Sequence, residues 1–263
     1  MATTDPLAEA PLGKMARGPA PNFPVHHKYD NTFFLFLVAM MWLGILMGFV
    51  PEIIRHVQHP KFTYPWIVYV HGVVFVGWLC LLTTQILLVR NRKIGLHRRL
   101  GRIGIGWAVV LPVVGVVTAF IMDRLALHVF PHFTPVFVSV QYGDLVLFTI
   151  LTGSALILRK EPSAHKRLML LGTLCLVDAG FARWWSGGLR HMLGSGYLSS
   201  VLQVFLGTIL LVLALGAYDL LTRRRLHRAY VYGASLMIGG EFVLVWFFLS
   251  PWWKPIAFRL VGY

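Results

Sequence analysis

The sequence predicts an all-α fold, a polytopic membrane protein built as a bundle of seven transmembrane helices. Of its 263 residues, 57% are hydrophobic and 13% are charged, and the mean hydropathy is +0.69. Charged residues make up ~25% of a typical soluble domain, so this chain has more apolar surface than a soluble core absorbs. The apolar residues also form seven runs, each near the roughly 20 residues that a helix needs to cross a bilayer.

The chain divides into a tail, a membrane domain and a second short tail. Residues 1–31 are rich in Pro, Ala and Gly without an apolar core, which predicts a disordered cytoplasmic tail. The membrane domain covers residues 32–250, and residues 251–263 form a short outer tail. Prolines, among them Pro51, are expected to mark the helix ends on one side. The seven predicted helices cover residues 32–50, 66–89, 103–122, 136–158, 167–185, 198–221 and 229–250.

The distribution of Lys and Arg predicts the orientation. The formal net charge is +14, and the basic residues lie mostly between the apolar runs, which indicates a membrane surface and not a nucleic acid as the partner. The side that contains the N-terminal tail holds 17 Lys and Arg, against 7 on the other side. Because cytoplasmic loops are enriched in these residues, we expect the N-terminus inside and the C-terminus outside a bacterial inner membrane. Anionic lipid head groups are the expected partners of the basic loops.

Three similar stretches follow the second, fourth and sixth runs: "GLHRRLGRIG", "SAHKRLMLLG" and "RLHRAYVYGA". Each begins with a histidine and one or more cations, and we expect all three to lie in cytoplasmic loops. One interpretation is that they only fix the topology and bind lipid head groups. The other is that His97, His165 and His227 converge on a ligand. Two of them would then be axial ligands of haem b, with nearby arginines at its propionates.

A second group of polar residues lies at membrane depth, where ionisable side chains are rare and often functional. It consists of His71, Gln141, Asp144, Asp178, Arg183, Gln203 and Glu241, which we expect to form one layer in the outer half of the bundle. The layer is either a satisfied hydrogen-bond network, with Asp178 paired to Arg183 and His71 to Asp144, or a polar cavity open to the outside. A cavity could bind zinc or iron through His71, Asp144, Asp178 and Glu241. It could also hold a substrate or pass protons.

Four segments carry a resemblance to a known family: "LHRRLGRIG", "YGDLVLF", "AHKRLMLLGTLCLVDAGFARW" and "YDLLTRRRLHRAYVYG". Together they resemble a widespread family of uncharacterised bacterial multi-pass membrane proteins, over roughly residues 66–235. In that family a histidine early in the second helix and a glutamine near its end recur, as His71 and Gln85 do here. The resemblance implies no activity. The motifs are also similar in style to cytochrome b561-type haem proteins and to small proteins that assist terminal oxidase assembly.

Three functional hypotheses follow. The first is binding of a redox cofactor, haem b, or of a small ligand, with His71, His97, His165 and His227 as candidate residues. The second is a metal-dependent or proton-coupled activity, of an enzyme or a transporter, at His71, Asp144, Asp178 and Glu241. The third is a structural or assembly subunit of a membrane complex, in which both groups only hold helices together.

Overall fold

The computed structural model describes residues 23–24, 26–60 and 62–263. These residues form eight α-helices and one 3-10 turn, with no β-strand among them. Seven helices are long and apolar enough to cross a membrane, which confirms the predicted all-α membrane fold. The 3-10 turn, Pro135–Phe137, leads into the fourth helix. The helices are α1 (Asp30–Gln58), α2 (Trp66–Arg90), α3 (Ile94–Val129), α4 (Val138–Ile157), α5 (Pro162–Leu193), α6 (Tyr197–Arg223), α7 (Arg228–Leu249) and α8 (Trp253–Leu260).

Several helices are longer than the apolar runs that predicted them. The helix α3 has 36 residues and α5 has 32. At ~1.5 Å per residue they are about 54 and 48 Å long, well beyond the ~30 Å hydrocarbon core of a bilayer. Hydropathy detects only the part of a helix that lies in hydrocarbon, so the polar first and last turns were missed. The expectation that the His-cation stretches are loops is therefore wrong for His97 and His165, which lie in the first turns of α3 and α5.

The ends of the chain also differ from the prediction. Residues 1–22 and 25 of the predicted tail lie outside the described residues, but Asp30 already belongs to α1. Pro51 lies inside α1 and does not end it. Membrane helices tolerate an internal proline when neighbouring groups satisfy the freed backbone. In the predicted outer tail, α8 forms and its Trp253 donates a hydrogen bond to the carbonyl oxygen of Val136, 2.9 Å away.

The helix α5 occupies the centre of the bundle and packs against α1, α4, α6 and α7. It is the most buried of the seven spans, which explains how the run that Asp178 and Arg183 interrupt still crosses the membrane. The contact with α1 is so close that a Cβ atom at Gly48 would lie 2.1 Å from the carbonyl oxygen of Gly180. Gly44 and Gly48 are four residues apart, the spacing by which small residues let membrane helices approach.

The bundle has two chemically different ends. We call the end at which α1, α3, α5 and α7 begin the basic end, and the opposite end the distal end. The loops at the basic end are short, for example residues 91–93 and 158–161. Short connections between antiparallel helices bring all three His-cation stretches to this same end.

Candidate functional site

Three carboxyl groups from three helices meet inside the bundle. Asp144 lies on α4, Asp178 on α5 and Glu241 on α7, and these helices pack directly against one another. The carboxyl groups of Asp144 and Asp178 lie next to each other, close enough to share a proton, and Glu241 is close enough to interact electrostatically with both. We call these three residues the acidic cluster. It unites three members of the predicted polar layer.

The acidic cluster is almost completely buried. The exposed fractions of Asp144, Asp178 and Glu241 are 7%, 4% and 1%. Within the described part of the chain, Oδ1 of Asp144 and Oε2 of Glu241 are buried without a hydrogen-bond partner. A buried polar atom left in this state costs about 1–3 kcal/mol. Such atoms mark places where a proton, a water molecule or a ligand is needed to complete the hydrogen bonding.

Among the described residues, the cluster has no cationic partner at hydrogen-bond distance. None of the salt bridges among the described residues includes Asp144, Asp178 or Glu241. Arg183, five residues beyond Asp178 on α5, instead donates to the carbonyl oxygen of Ala179 at 2.8 Å and lies 4.5 Å from the centre of the Phe49 ring. The predicted pairing of Asp178 with Arg183 is therefore only a longer-range electrostatic interaction. A hydrogen bond between two carboxyl groups requires one of them to carry a proton.

The geometry does not support the predicted metal site. In the residues that the structure describes, no group of three or more His, Cys, Asp or Glu side chains is arranged to hold a metal ion. A zinc site needs three or four ligands that converge at about 2 Å from the ion. Among the described residues, Nδ1 of His71 has no hydrogen-bond partner, and its ring stacks on Phe75 with 3.9 Å between ring centres. Zinc or iron binding stays a prediction without structural support.

The rest of the predicted polar layer is divided among separate places. Gln141 lies near Asp123, a buried residue of α3 that the sequence analysis missed because α3 was predicted to end at residue 122. Gln203 donates to Ser199 at 2.8 Å and to the carbonyl oxygen of Gly194 at 3.2 Å. His71 interacts electrostatically with Arg183. Within the described residues, Gln141, Gln203 and His71 therefore interact with groups other than the three carboxyls.

A buried ionic network at the basic end was not predicted. Arg167 and Asp219, both 0% exposed, are joined by two hydrogen bonds, from Nε to Oδ2 at 2.6 Å and from Nη2 to Oδ1 at 2.5 Å. Arg167 also donates to the carbonyl oxygen of Ser163 at 2.7 Å. The sequence leaves two interpretations for the cations of the second stretch: topology signals at the lipid surface, or partners of haem propionates, with Arg167 among the candidates. Instead, Arg167 points inward, and an acidic partner one helix away was the only sequence signal that could have revealed it.

The network continues to the start of α1. Arg223 donates from Nη2 to both carboxylate oxygens of Asp30, at 2.7 and 2.8 Å, and lies 3.5 Å from Asp219. Asp30 also accepts hydrogen bonds from Lys166 at 2.9 Å and Tyr218 at 2.7 Å. The carboxylate of Asp30 thus fastens the first turn of α1 to α5 and α6.

His227 lies beside this network and uses both ring nitrogens. Its Nδ1 accepts from the backbone N–H of Ala229 as the N-cap of α7, and Nε2 lies 3.3 Å from a carboxylate oxygen of Glu161. Burial and the nearby Arg167 guanidinium lower the pKa of His227 below its usual value of 6.5, against the opposing effect of Glu161. The ring of Phe23 packs edge-on against His227, 4.7 Å between centres. His227 in this state has no nitrogen left for a haem iron.

His97 and His165 lie near each other at the basic end, within electrostatic range. The Nδ1 of His165 is 2.8 Å from the carbonyl oxygen of Ala155, so this nitrogen carries the proton and Nε2 keeps a lone pair. His97 lies against the backbone of Gln85. In the described part of the protein, Nδ1 of His97 and Oε1 of Gln85 are buried without a hydrogen-bond partner. Of the three predicted histidines, the structure brings these two together.

Comparisons with known proteins give no relative. No family model matches the chain, and no curated protein or solved structure is significantly similar to it. The resemblance to a bacterial membrane protein family and to cytochrome b561-type proteins stays a prediction. The function must therefore be argued from the geometry alone.

Proposed function

We propose that this integral membrane protein binds protons at the acidic cluster of Asp144, Asp178 and Glu241, and that it is a proton-coupled transporter. The observation that carries the proposal is the burial of three neighbouring carboxyl groups, Asp144, Asp178 and Glu241, two of which have an oxygen without a hydrogen-bond partner among the described residues. The second of the three hypotheses from the sequence is therefore favoured, in its proton-coupled form.

Electrostatics explains why such a cluster holds protons. Three carboxylates buried together without a cation would repel one another strongly in a medium of low dielectric constant. We infer that the cluster holds at least one proton, which Asp144 and Asp178 can share. Interacting acids of this kind titrate as a unit, and a small change in helix packing alters how many protons the unit binds. Proton relays in membrane pumps and transporters use carboxyl groups in this way.

The position of the cluster suits transport across a membrane. Asp178 is near the middle of α5, 16 residues from Pro162 and 15 from Leu193. We infer from the 17 Lys and Arg on the side of the N-terminal tail that the basic end faces the cytoplasm of a bacterial inner membrane. The distal end then faces outward. Arg98, Arg99 and Arg102 are exposed at the basic end, where anionic lipid head groups would bind them.

Infrared spectroscopy of the protein in liposomes tests proton binding directly. Protonated carboxyl groups absorb separately from carboxylates. We expect a protonated-carboxyl band that shifts or disappears in Asp144→Asn and in Asp178→Asn, because each change removes one of the two carboxyl groups that share the proton. Asp123→Asn is the matched control, since Asp123 is equally buried but lies on α3, outside the acidic cluster. Its replacement should leave the band of the acidic cluster unchanged.

Proton movement is the second readout. With a pH-sensitive dye inside the liposomes, we expect proton uptake in the wild type and in Asp123→Asn, and its loss in Asp178→Asn and Glu241→Gln. The proposal would be overturned if the protonated-carboxyl infrared band were the same in Asp144→Asn, Asp178→Asn and Glu241→Gln as in the wild type. Normal proton uptake in every variant would overturn the transport function.

Haem b binding is a second candidate, favoured by the arrangement of His97 and His165. Histidines that bind a metal normally donate their other ring N–H to a carbonyl or carboxylate, as His165 does to Ala155. His97 has a buried nitrogen whose hydrogen-bonding capacity is unused within the described structure. A Soret band in the purified protein that is lost in His97→Ala and His165→Ala, but kept in His227→Ala, would support this candidate. A featureless visible spectrum would remove it.

A further inference from the structure

A small apolar cluster covers the acidic cluster on its distal side. It consists of Val140, Val201, Phe205 and Val245, which are 0–2% exposed and form a separate core in the bundle. Val140 is four residues before Asp144 on α4, and Val245 is four residues after Glu241 on α7. Residues four apart on a helix lie one above the other on the same face. Val140 and Val245 therefore lie one helical turn above the carboxyl groups, and Val201 and Phe205 pack with them from α6. We call these four side chains the apolar layer.

A cleft lined mostly by apolar side chains, with three polar residues among them, borders this layer. It has a volume of about 210 Å³ and is lined at its polar side by Ser186, Ser200 and Gln203. Ala182 and Ser186 line it from α5, one and two turns beyond Asp178 on nearly the same face of that helix. Val204 belongs to both regions, since it lines the cleft and packs against the apolar layer. The cleft thus leads from the distal surface to the top of the layer.

The opposite side of the acidic cluster is sealed far more thickly. Phe148, Leu174 and Met237 lie one turn from Asp144, Asp178 and Glu241 toward the basic end, and are 0–2% exposed. Beyond them the main core continues through Leu151 and Leu171, both 0% exposed. Each buried apolar layer adds to the free-energy cost of bringing a water molecule inside. Water would therefore reach the acidic cluster more easily from the distal side than from the basic end.

We propose that the apolar layer of Val140, Val201, Phe205 and Val245 is the gate through which protons pass from the distal cleft to the acidic cluster. This proposal rests on the proposed function and specifies its regulation. Displacement of Phe205, the largest of the four side chains, admits water from the cleft to Asp144 and Glu241. In the structure described here the gate is closed.

Exchange of the bound proton for deuterium tests the gate. Liposomes that contain the protein are moved from H₂O to D₂O, and the shift of the protonated-carboxyl infrared band is followed in time. We expect Phe205→Ala to accelerate the exchange by about tenfold or more, since each ~1.4 kcal/mol removed from a barrier gives a tenfold faster rate. The matched control is Phe148→Ala, a phenylalanine also 0% exposed that lies on the other side of the carboxyls. It should leave the rate within about twofold of the wild type.

Two further variants keep the test decisive. If Phe205→Ala does not fold, Val201→Ala makes a smaller opening in the same layer and should change the rate in the same direction. Ala182→Phe fills the cleft but leaves the four residues of the apolar layer unchanged. This variant should slow the exchange.

The outcomes separate the gate from the function. Equal rates in the wild type, Phe205→Ala and Val201→Ala would overturn the gate while the band still confirmed proton binding. A larger acceleration in Phe148→Ala would also overturn it, by placing the entry route at the basic end. If the band itself did not depend on Asp144 or Asp178, the proposed function would fail first.

Discussion

Arg167 and Asp219 form a doubly hydrogen-bonded ion pair between α5 and α6, and neither side chain is exposed at all. Both charges have lost their solvation, and each depends on the other for compensation. The pair also contacts Arg223, which holds Asp30 at the start of α1. The packing of α1, α5 and α6 at the basic end therefore depends on this one ion pair.

Removing only one member of this pair should destabilise the protein strongly. Asp219→Ala leaves the Arg167 guanidinium buried without its carboxylate, and we expect the free energy of unfolding to fall by about 3–5 kcal/mol. Thermal unfolding in detergent measures the change. The control is Arg55→Ala, which breaks a salt bridge with Glu52 in which both side chains are exposed, and which should change stability by no more than about 0.5 kcal/mol. The double change Arg167→Met with Asp219→Leu should recover most of the loss.

Two buried tyrosines should differ in what their hydroxyl groups contribute. Tyr218 donates to the charged carboxylate of Asp30, and Tyr230 donates to the neutral carbonyl oxygen of Val212. We expect Tyr218→Phe to cost about 1.5–3 kcal/mol and Tyr230→Phe about 0.5–1.5 kcal/mol, because hydrogen bonds to charged groups are stronger. Denaturation of both variants in the same detergent checks the order. A larger loss for Tyr230→Phe would contradict the charged state of Asp30.

The close approach of α1 and α5 predicts opposite effects for two glycine substitutions. At Gly48 a Cβ atom would overlap the backbone of Gly180, so we expect Gly48→Ala to destabilise the fold by about 1–3 kcal/mol. At Gly106, on α3, a Cβ atom meets nothing within 4 Å among the described residues. Gly106→Ala should therefore be neutral or stabilise by up to about 1 kcal/mol, because alanine favours a helix. The melting temperature of Gly48→Ala should lie below the wild-type value, and that of Gly106→Ala at or above it.

His227 should make the stability depend on pH. Its pKa is lowered in the folded protein, by burial and by Arg167, from the usual value of 6.5. Above 6.5 the imidazole is neutral in both states. As the pH falls below 6.5, the unfolded chain takes up a proton first, so the free energy of unfolding decreases until the pH reaches the folded pKa, and is then constant.

The variant His227→Asn provides the control for this pH dependence. Asparagine keeps an oxygen that can accept from the N–H of Ala229 but does not titrate. The difference in stability between the wild type and this variant should therefore change as the pH falls below 6.5, in the direction that disfavours the wild type. A difference that stays constant over this range would show that His227 keeps its usual pKa.

Particular residues show where prediction from the sequence succeeded. The span Trp66–Arg90 was predicted within one residue, because its apolar run ends where the helix ends. The sequence also predicted that Asp144, Asp178 and Glu241 lie at one depth, because carboxyl groups inside a membrane are rare, and the structure brings the three together. Their role as a site stays a prediction. Asp30, Asp123 and Asp219 were not recognised, because they lie at the polar ends of helices, where acidic residues are common.

The sequence by itself determined the number of membrane helices, the segments that form them and the layer at which three carboxyl groups lie. These properties depend on local hydropathy and on the fixed rise of an α-helix. Only the tertiary structure decided that Asp178 meets Asp144 and not Arg183, and that Arg167 faces Asp219. Each of these depends on how a helix is rotated about its own axis. That rotation is set by packing against several neighbours at once, such as the contact of Gly48 with Gly180, and not by any local sequence pattern.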